Sequence, residues 1–305
     1  MSASSSLQPE PARARLAAIG LICAAVALFA VLDCSAKWLS GHVNPLQVVF
    51  ARYAGSMVFV LALMNPVTMP GVFRTKRPGL QMLRSLLLLG ATVMNFIALK
   101  YLQLAETVSI MFATPLVVAL ASGPLLGEWP GPRRLVAICI GFLGVLVITR
   151  PGFGAMHPAA TLCVFGTLCY SFYSLTTRML AAHDPPETTM IYSGVAGTAA
   201  MIPIIPFVWT APDSALTWGL LVATGALGGF GHWLLILAHR LAPATVLAPF
   251  IYSQIVWMIL LGWLVFDQLP DGWTFAGASV VIASGLYLLY RERVRKKPEV
   301  SAGLR

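Results

Sequence analysis

Apolar residues run along this chain in long unbroken stretches, separated by short polar segments rich in Pro, Gly and Arg. The stretches fall at about 16–38, 46–64, 81–100, 106–125, 134–150, 158–180, 188–209, 215–237, 243–264 and 273–290. Each is close to the ~20 apolar residues that a helix needs to cross the ~30 Å hydrocarbon core of a bilayer. Backbone polar groups find no water there, so spans of this composition are helices. The short alternating segments of a transmembrane barrel are absent. The pattern predicts an all-α integral membrane protein with ten transmembrane helices.

Composition agrees: 58% of the residues are hydrophobic and 10% charged, less polar surface than a soluble domain needs. The net charge of +9 changes the picture only through its placement. With the N-terminus inside, all of the 20 Lys and Arg except Lys37, Arg52, Lys100 and Arg150 fall in or beside inside segments. That is the positive-inside bias of a multi-pass protein, here with both termini cytoplasmic in a bacterial inner membrane. The basic excess is therefore an orientation signal, and nucleic acid is excluded as a partner. Residues 1–15, with Ser2, Ser4, Ser5, Ser6, Pro9 and Pro11, read as a disordered tail, and 291–305 as a basic tail. The first span contains Asp33 and Lys37 and reads as a retained helix, not a cleaved signal. All five cysteines lie inside spans, without disulfide or metal spacing.

The chain also repeats itself. Asn44-Pro45 opens the second span and Asp184-Pro185 the seventh. Leu102–Val108 leads into the fourth span as Arg240–Val246 leads into the ninth. Gly127-Glu128-Trp129-Pro130 closes the fourth, and Phe266-Asp267-Gln268-Leu269-Pro270 the ninth. Two halves follow, 16–150 and 158–290, each of five helices. Five is odd, so the second half enters the membrane upside down, the inverted-repeat plan of secondary transporters.

These segments resemble the drug/metabolite transporter superfamily, specifically its ten-helix EamA-type members. The likeness rests on LAETVSIMFATPLVVALASGPLLGEWPGPRRLVAICIGFLGVLVITRPG in the first half and LAPATVLAPFIYSQIVWMILLGWLVFDQLP in the second. It departs at Phe266-Asp267, where the family often has Gly-Glu. The resemblance implies movement of a small organic metabolite: a riboflavin-like vitamin, S-adenosylmethionine or an amino acid. It favours uptake over export of amino acids or drugs. It implies no cofactor, and a monomer or homodimer in the lipid bilayer.

Charged groups inside a membrane cost ~2.5–3.5 kcal/mol each on insertion scales and need a reason. Asp33 and Lys37 share a helical face, and Arg52 lies about two turns into the second span. The three gather in the outer third. Either they form an electrostatic element at a cavity mouth, or Asp33 and Lys37 neutralise each other while Lys37 snorkels. Arg52 either lines the cavity or braces helices, with Asp33 as a candidate partner. Asn95, His232, Tyr252 and Gln254, with Trp233 nearby, have the chemistry of a small-molecule cavity; helix–helix hydrogen bonding is the competing reading. Glu128 and Asp267 read as helix-end residues at the interface. Pro115, Pro249 and the Gly228-Gly229-Phe230-Gly231 run are candidate hinges or simply packing devices.

No catalytic residue is assigned. An intramembrane enzyme, the alternative of another class, lacks both a His-Glu-x-x-His pair and two facing aspartates, and no phosphate loop is present. The histidines do not pair at metal-ligand spacing. A channel would need a sustained polar stripe, and none runs through the spans.

Overall fold

The computed structural model describes residues 11–63, 71–127, 129–150, 157–181, 183–242 and 244–295. Every regular element among them is helical: α1 (Pro11–Leu39), α2 (Pro45–Leu63), α3 (Pro78–Leu99), α4 (Leu104–Met111), α5 (Thr114–Leu126), α6 (Pro132–Thr149), α7 (Ala159–Leu180), α8 (Pro186–Met201), α9 (Ile205–Val208), α10 (Ala215–Leu241), α11 (Ala244–Ile251), α12 (Gln254–Phe266) and α13 (Gly272–Arg295). Taking α4–α5 and α11–α12 as continuous, nine helical stretches among the described residues are long and apolar enough to cross a membrane. The expected span at 188–209 is shorter. Pro203 and Pro206 stop α8 at 16 residues, about 24 Å, before the single turn of α9.

The spans expected at 106–125 and 243–264 are each broken in two. Pieces of 8 and 13 residues recur at a separation of 140, as α4–α5 and α11–α12. This register corrects the pairing of Leu102–Val108 with Arg240–Val246, which was two residues off. Pro115 explains the first break, because it sits in the opening turn of α5 and cannot continue α4. Pro249 does not explain the second. It lies inside α11, and the carbonyl of Phe250 is taken by the Ser253 hydroxyl (2.6 Å), much as Thr114 takes that of Met111 (2.7 Å). Asp267 likewise changes partners. It holds the left-handed position (φ 52°) that ends α12, where Gly127 (φ 73°) ends α5. What repeats is the helix stop, which Asp tolerates better than most residues, not a carboxylate; Glu128 lies outside the described residues.

The two halves interlock reciprocally. α1 packs on α10, and their counterparts α7 and α3 pack on each other; α2 on α10 is matched by α3 on α8. Counterparts also meet face to face. Along α6 and α13, Gly141 faces Ser284, Gly144 faces Val281 and Ile148 faces Gly277. A step up one helix is thus a step down the other. α2 and α8 do the same, with Tyr53 on Gly197 and Met57 on Gly194. Where the broken helices cross, Phe112 meets its own counterpart Tyr252 edge-on, ring centroids 4.8 Å apart. Antiparallel contact between equivalent helices places the two-fold relation across the helix axes. This is an inverted repeat.

Small residues permit the closest approach. A methyl group on Gly225 of α10 would lie 2.5 Å from the Cα of Gly55 on α2. Gly229 and Gly231 receive the rings of Phe59 and Phe29. Of the two roles open to the glycine run, the structure uses close approach.

Candidate functional site

Five helices from both halves (α2, α3, α7, α8 and α10) line a partly open cleft. Arg52, Tyr53, Ser56 and Val60 face it from α2, Arg84 and Leu88 from α3, and Tyr173 from α7. Met190, Ser193 and Gly194 of α8 and Gly229 and His232 of α10 complete it. It lies where equivalent helices of the two halves cross, so any relative movement of the halves reshapes it.

Arg52 donates from Nη1 to the Thr92 hydroxyl (3.0 Å), which also meets the Tyr53 hydroxyl (3.2 Å). The aromatic rings of Tyr53 and Phe96 lie 5.1 and 5.9 Å from its guanidinium carbon. Its Nε is buried without a partner. No ion pair joins Arg52 to Asp33; the carboxylate instead accepts from Asn95 Nδ2 (3.3 Å), leaving Asn95 Oδ1 unpartnered. The Asp33–Lys37 pair also does not form. Lys37 Nζ donates to the carbonyls of Leu99 (3.1 Å) and Leu102 (2.6 Å), closing the C-terminal end of α3, and lies over the ring of Phe266. Lys37 is thus a helix-end brace, one turn from the Asp33–Asn95 pair.

His232 reaches the cleft and packs its ring on Phe29 (5.0 Å). Trp233 lies against Phe230 outside it. Tyr252 belongs to the crossing of the broken helices, its hydroxyl buried against Gly285 without a hydrogen bond. Gln254 starts α12 and does not line the cleft. The structure therefore brings Arg52 and His232 into one cavity and leaves Asp33, Asn95, Lys37, Trp233, Tyr252 and Gln254 outside its lining.

Arg84 was missed as a cleft residue because it counted among the inside cations. It is only 4% exposed. Its Nε donates to Thr177 (2.7 Å), Nη1 to the Thr189 carbonyl (3.0 Å) and the Ser193 hydroxyl (2.7 Å), and Nη2 to the Tyr173 hydroxyl (3.0 Å). The signal in the sequence was an arginine inside the first turn of a predicted span.

Polar clasps hold the ends of the bundle. Asp184, just before α8, accepts from the Thr75 hydroxyl, from Gln81 Nε2 (2.8 Å) and from the Lys76 backbone N–H (3.4 Å). Desolvation opposes its ionisation, but these hydrogen bonds, the Thr75 bond foremost, outweigh it and hold the carboxyl below the usual carboxylate range. At the corresponding point of the first half, Gln47 of α2 exchanges two bonds with the Thr210 backbone (3.0 and 2.8 Å). Asp271 caps α13 through the Thr274 N–H (2.8 Å) and pairs with Arg150 (2.8 Å). Among the described residues no cluster of three His, Cys, Asp or Glu could hold a metal ion.

The profile of the EamA-like transporter family matches residues 16–150 and again 157–291. A riboflavin transporter of Vibrio cholerae is 26% identical over 274 residues, 89% of this chain and 92% of that protein. An S-adenosylmethionine uptake transporter of Rickettsia prowazekii is 23% identical over 86% of this chain and 88% of its own length. A pseudopaline exporter of Pseudomonas aeruginosa is 26% identical over 85% and 91%. One crystal structure superposes with a TM-score of 0.63 at 19% identity, covering 94% of this chain and 99% of its own.

Proposed function

Because the chain belongs to the EamA-like transporter family, we propose that the cleft around Arg52 and His232 carries the transported metabolite by alternating access. The observation that carries this reading is position. The cleft is built by helices of both halves, at the crossing of a repeat whose two members are inverted. Two related packings of such halves open it to one side of the membrane and then to the other.

The chain is a multi-pass membrane protein of a small-metabolite transporter family. In our reading it crosses a bacterial inner membrane ten times, with α8 and α9 together forming the seventh crossing, and both termini are cytoplasmic. The repeats run over 16–150 and 158–290. The protein works without a cofactor and makes or breaks no covalent bond, as a monomer or homodimer. Substrate candidates are a riboflavin-like vitamin, S-adenosylmethionine and an amino acid. The relatives named for uptake support that direction, and the exporter of similar identity supports export as the alternative.

The test is a transport screen in a heterologous host, with labelled vitamins, S-adenosylmethionine and amino acids. Accumulation or extrusion of one class above the empty-vector control supports the reading. No movement of any class, with the protein present in the membrane, counts against it.

A further inference from the structure

Two guanidinium groups, those of Arg52 and Arg84, face one cleft, and no carboxylate is among the described residues that line it. Arg84 spends its donors on Thr177, Thr189, Ser193 and Tyr173, all of them neutral. Arg52 gives Nη1 to Thr92 and leaves Nε buried without a partner. Asp33 acts on Arg52 electrostatically but makes no ion pair with it. Even counting Asp33 in full, one positive charge remains uncompensated, and protonation of His232 would only add to it.

Such an arrangement is costly. A guanidinium does not give up its proton to escape burial. Charge within an apolar bundle is destabilising, and a buried donor without an acceptor adds its own desolvation penalty. An anion arriving from solution relieves both at once. The Nε and adjoining Nη2 of an arginine form a planar two-donor fork that matches the two oxygens of a carboxylate. Here the Arg52 guanidinium lies beside the Tyr53 ring, and His232 and Val60 line the same cleft.

We infer that the transported metabolite is an organic acid, whose carboxylate docks in the plane of the Arg52 guanidinium on its Nε edge. Its apolar or aromatic body lies against Tyr53 and His232. Arg84, held rigidly by its four bonds, supplies a second fixed positive charge and does not itself chelate the acid. This inference rests on the transport reading and narrows it to a substrate class.

Matched acid and amide probes test it. The purified protein in lipid nanodiscs is titrated with N-acetyltyrosine and N-acetyltyrosinamide, and with 3-phenylpropionate and 3-phenylpropionamide, followed by intrinsic tryptophan fluorescence. The parent is expected to bind each acid at least tenfold tighter than its amide. Arg52→Gln, checked for monodisperse elution, is expected to erase that preference. Arg52→Lys is expected to lower it at least threefold, because a point charge attracts the acid without offering the fork; it carries the test should Arg52→Gln fail to fold. Equal binding of acids and amides to the parent, binding of neither, or an undiminished preference in the variants overturns the inference. A preference for acids without their movement across proteoliposomes would sink the transport reading and leave only an acid-binding site at Arg52. Transport of neutral metabolites without any preference for acids would do the reverse.

Discussion

Asp184 offers a perturbation whose size follows from the structure. Its carboxylate joins the start of α8 to the segment leading into α3, accepting two bonds at Oδ2 and a longer one at Oδ1. Asp184→Asn keeps the shape but has a single acceptor oxygen. If that oxygen stays with Thr75 and Gln81, the new amide faces the Lys76 N–H, donor against donor. Hydrogen bonds to a charged group contribute about 1.5–3 kcal/mol and neutral ones about 1 kcal/mol. The clasp sits at the end of the bundle, where solvent screening reduces that difference. The expected loss is therefore about 1–2 kcal/mol, which moves the balance between clasped and open ends about 5- to 30-fold. Nitroxide labels at Arg74→Cys and His183→Cys, both exposed, read it in a background without the native cysteines. Pulsed dipolar spectroscopy should show a longer distance gaining population in Asp184→Asn. The pH dependence has a definite sign. The folded-state pKa of Asp184 is depressed, so the contribution is complete above the ordinary carboxylate range, near 4, and is lost as pH falls through the folded value. Between pH 6 and 8 the clasp should not change. An unaltered distance distribution in Asp184→Asn, or a parent clasp that loosens between pH 8 and 6, would refute this account of the end contact.

Gly225→Ala should destabilise the protein in detergent by about 1–3 kcal/mol, because the added methyl meets the Gly55 backbone at 2.5 Å; an unchanged or higher Tm would show that the helices part freely. Arg52→Leu should cut transport strongly at near-normal membrane expression, with Arg52→Lys restoring only part; uptake at parental levels in Arg52→Leu would reduce Arg52 to a brace. A compartment-reading reporter fused to the C-terminus should report the cytoplasm, as the distribution of Lys and Arg requires. A periplasmic signal would invert the topology.

The sequence located most of the helices within a few residues because in lipid an apolar run has few alternatives to a helix. The expected span 215–237, for example, is α10, Ala215–Leu241, but α1 begins at Pro11, inside the stretch expected to be a disordered tail. Interruptions were harder to read. Pro115 was visible, but the second break depends on a serine hydroxyl taking a carbonyl, which apolarity does not register. Partners were harder still. Lys37 and Asp33 share a face by spacing, yet Lys37 is captured by the end of α3 and Asp33 by Asn95, 62 residues away in each of the bonds to Leu99 and Asn95. Helix period tells which face a residue occupies, not which helix covers that face. Arg84 was overlooked for a related reason: counting cations by side of the membrane treats a buried arginine with four hydrogen bonds like one in a loop.

In alternating access, one cleft between the halves opens in turn to the two sides of the membrane. Ser56 lines that cleft, so Ser56→Cys, as the sole cysteine, can report on it. The variant is labelled with a membrane-impermeant thiol reagent in right-side-out and in inside-out vesicles. Alternating access predicts labelling from both faces, reduced in both by the transported metabolite. Labelling from one face only, whatever metabolite is added, would contradict it.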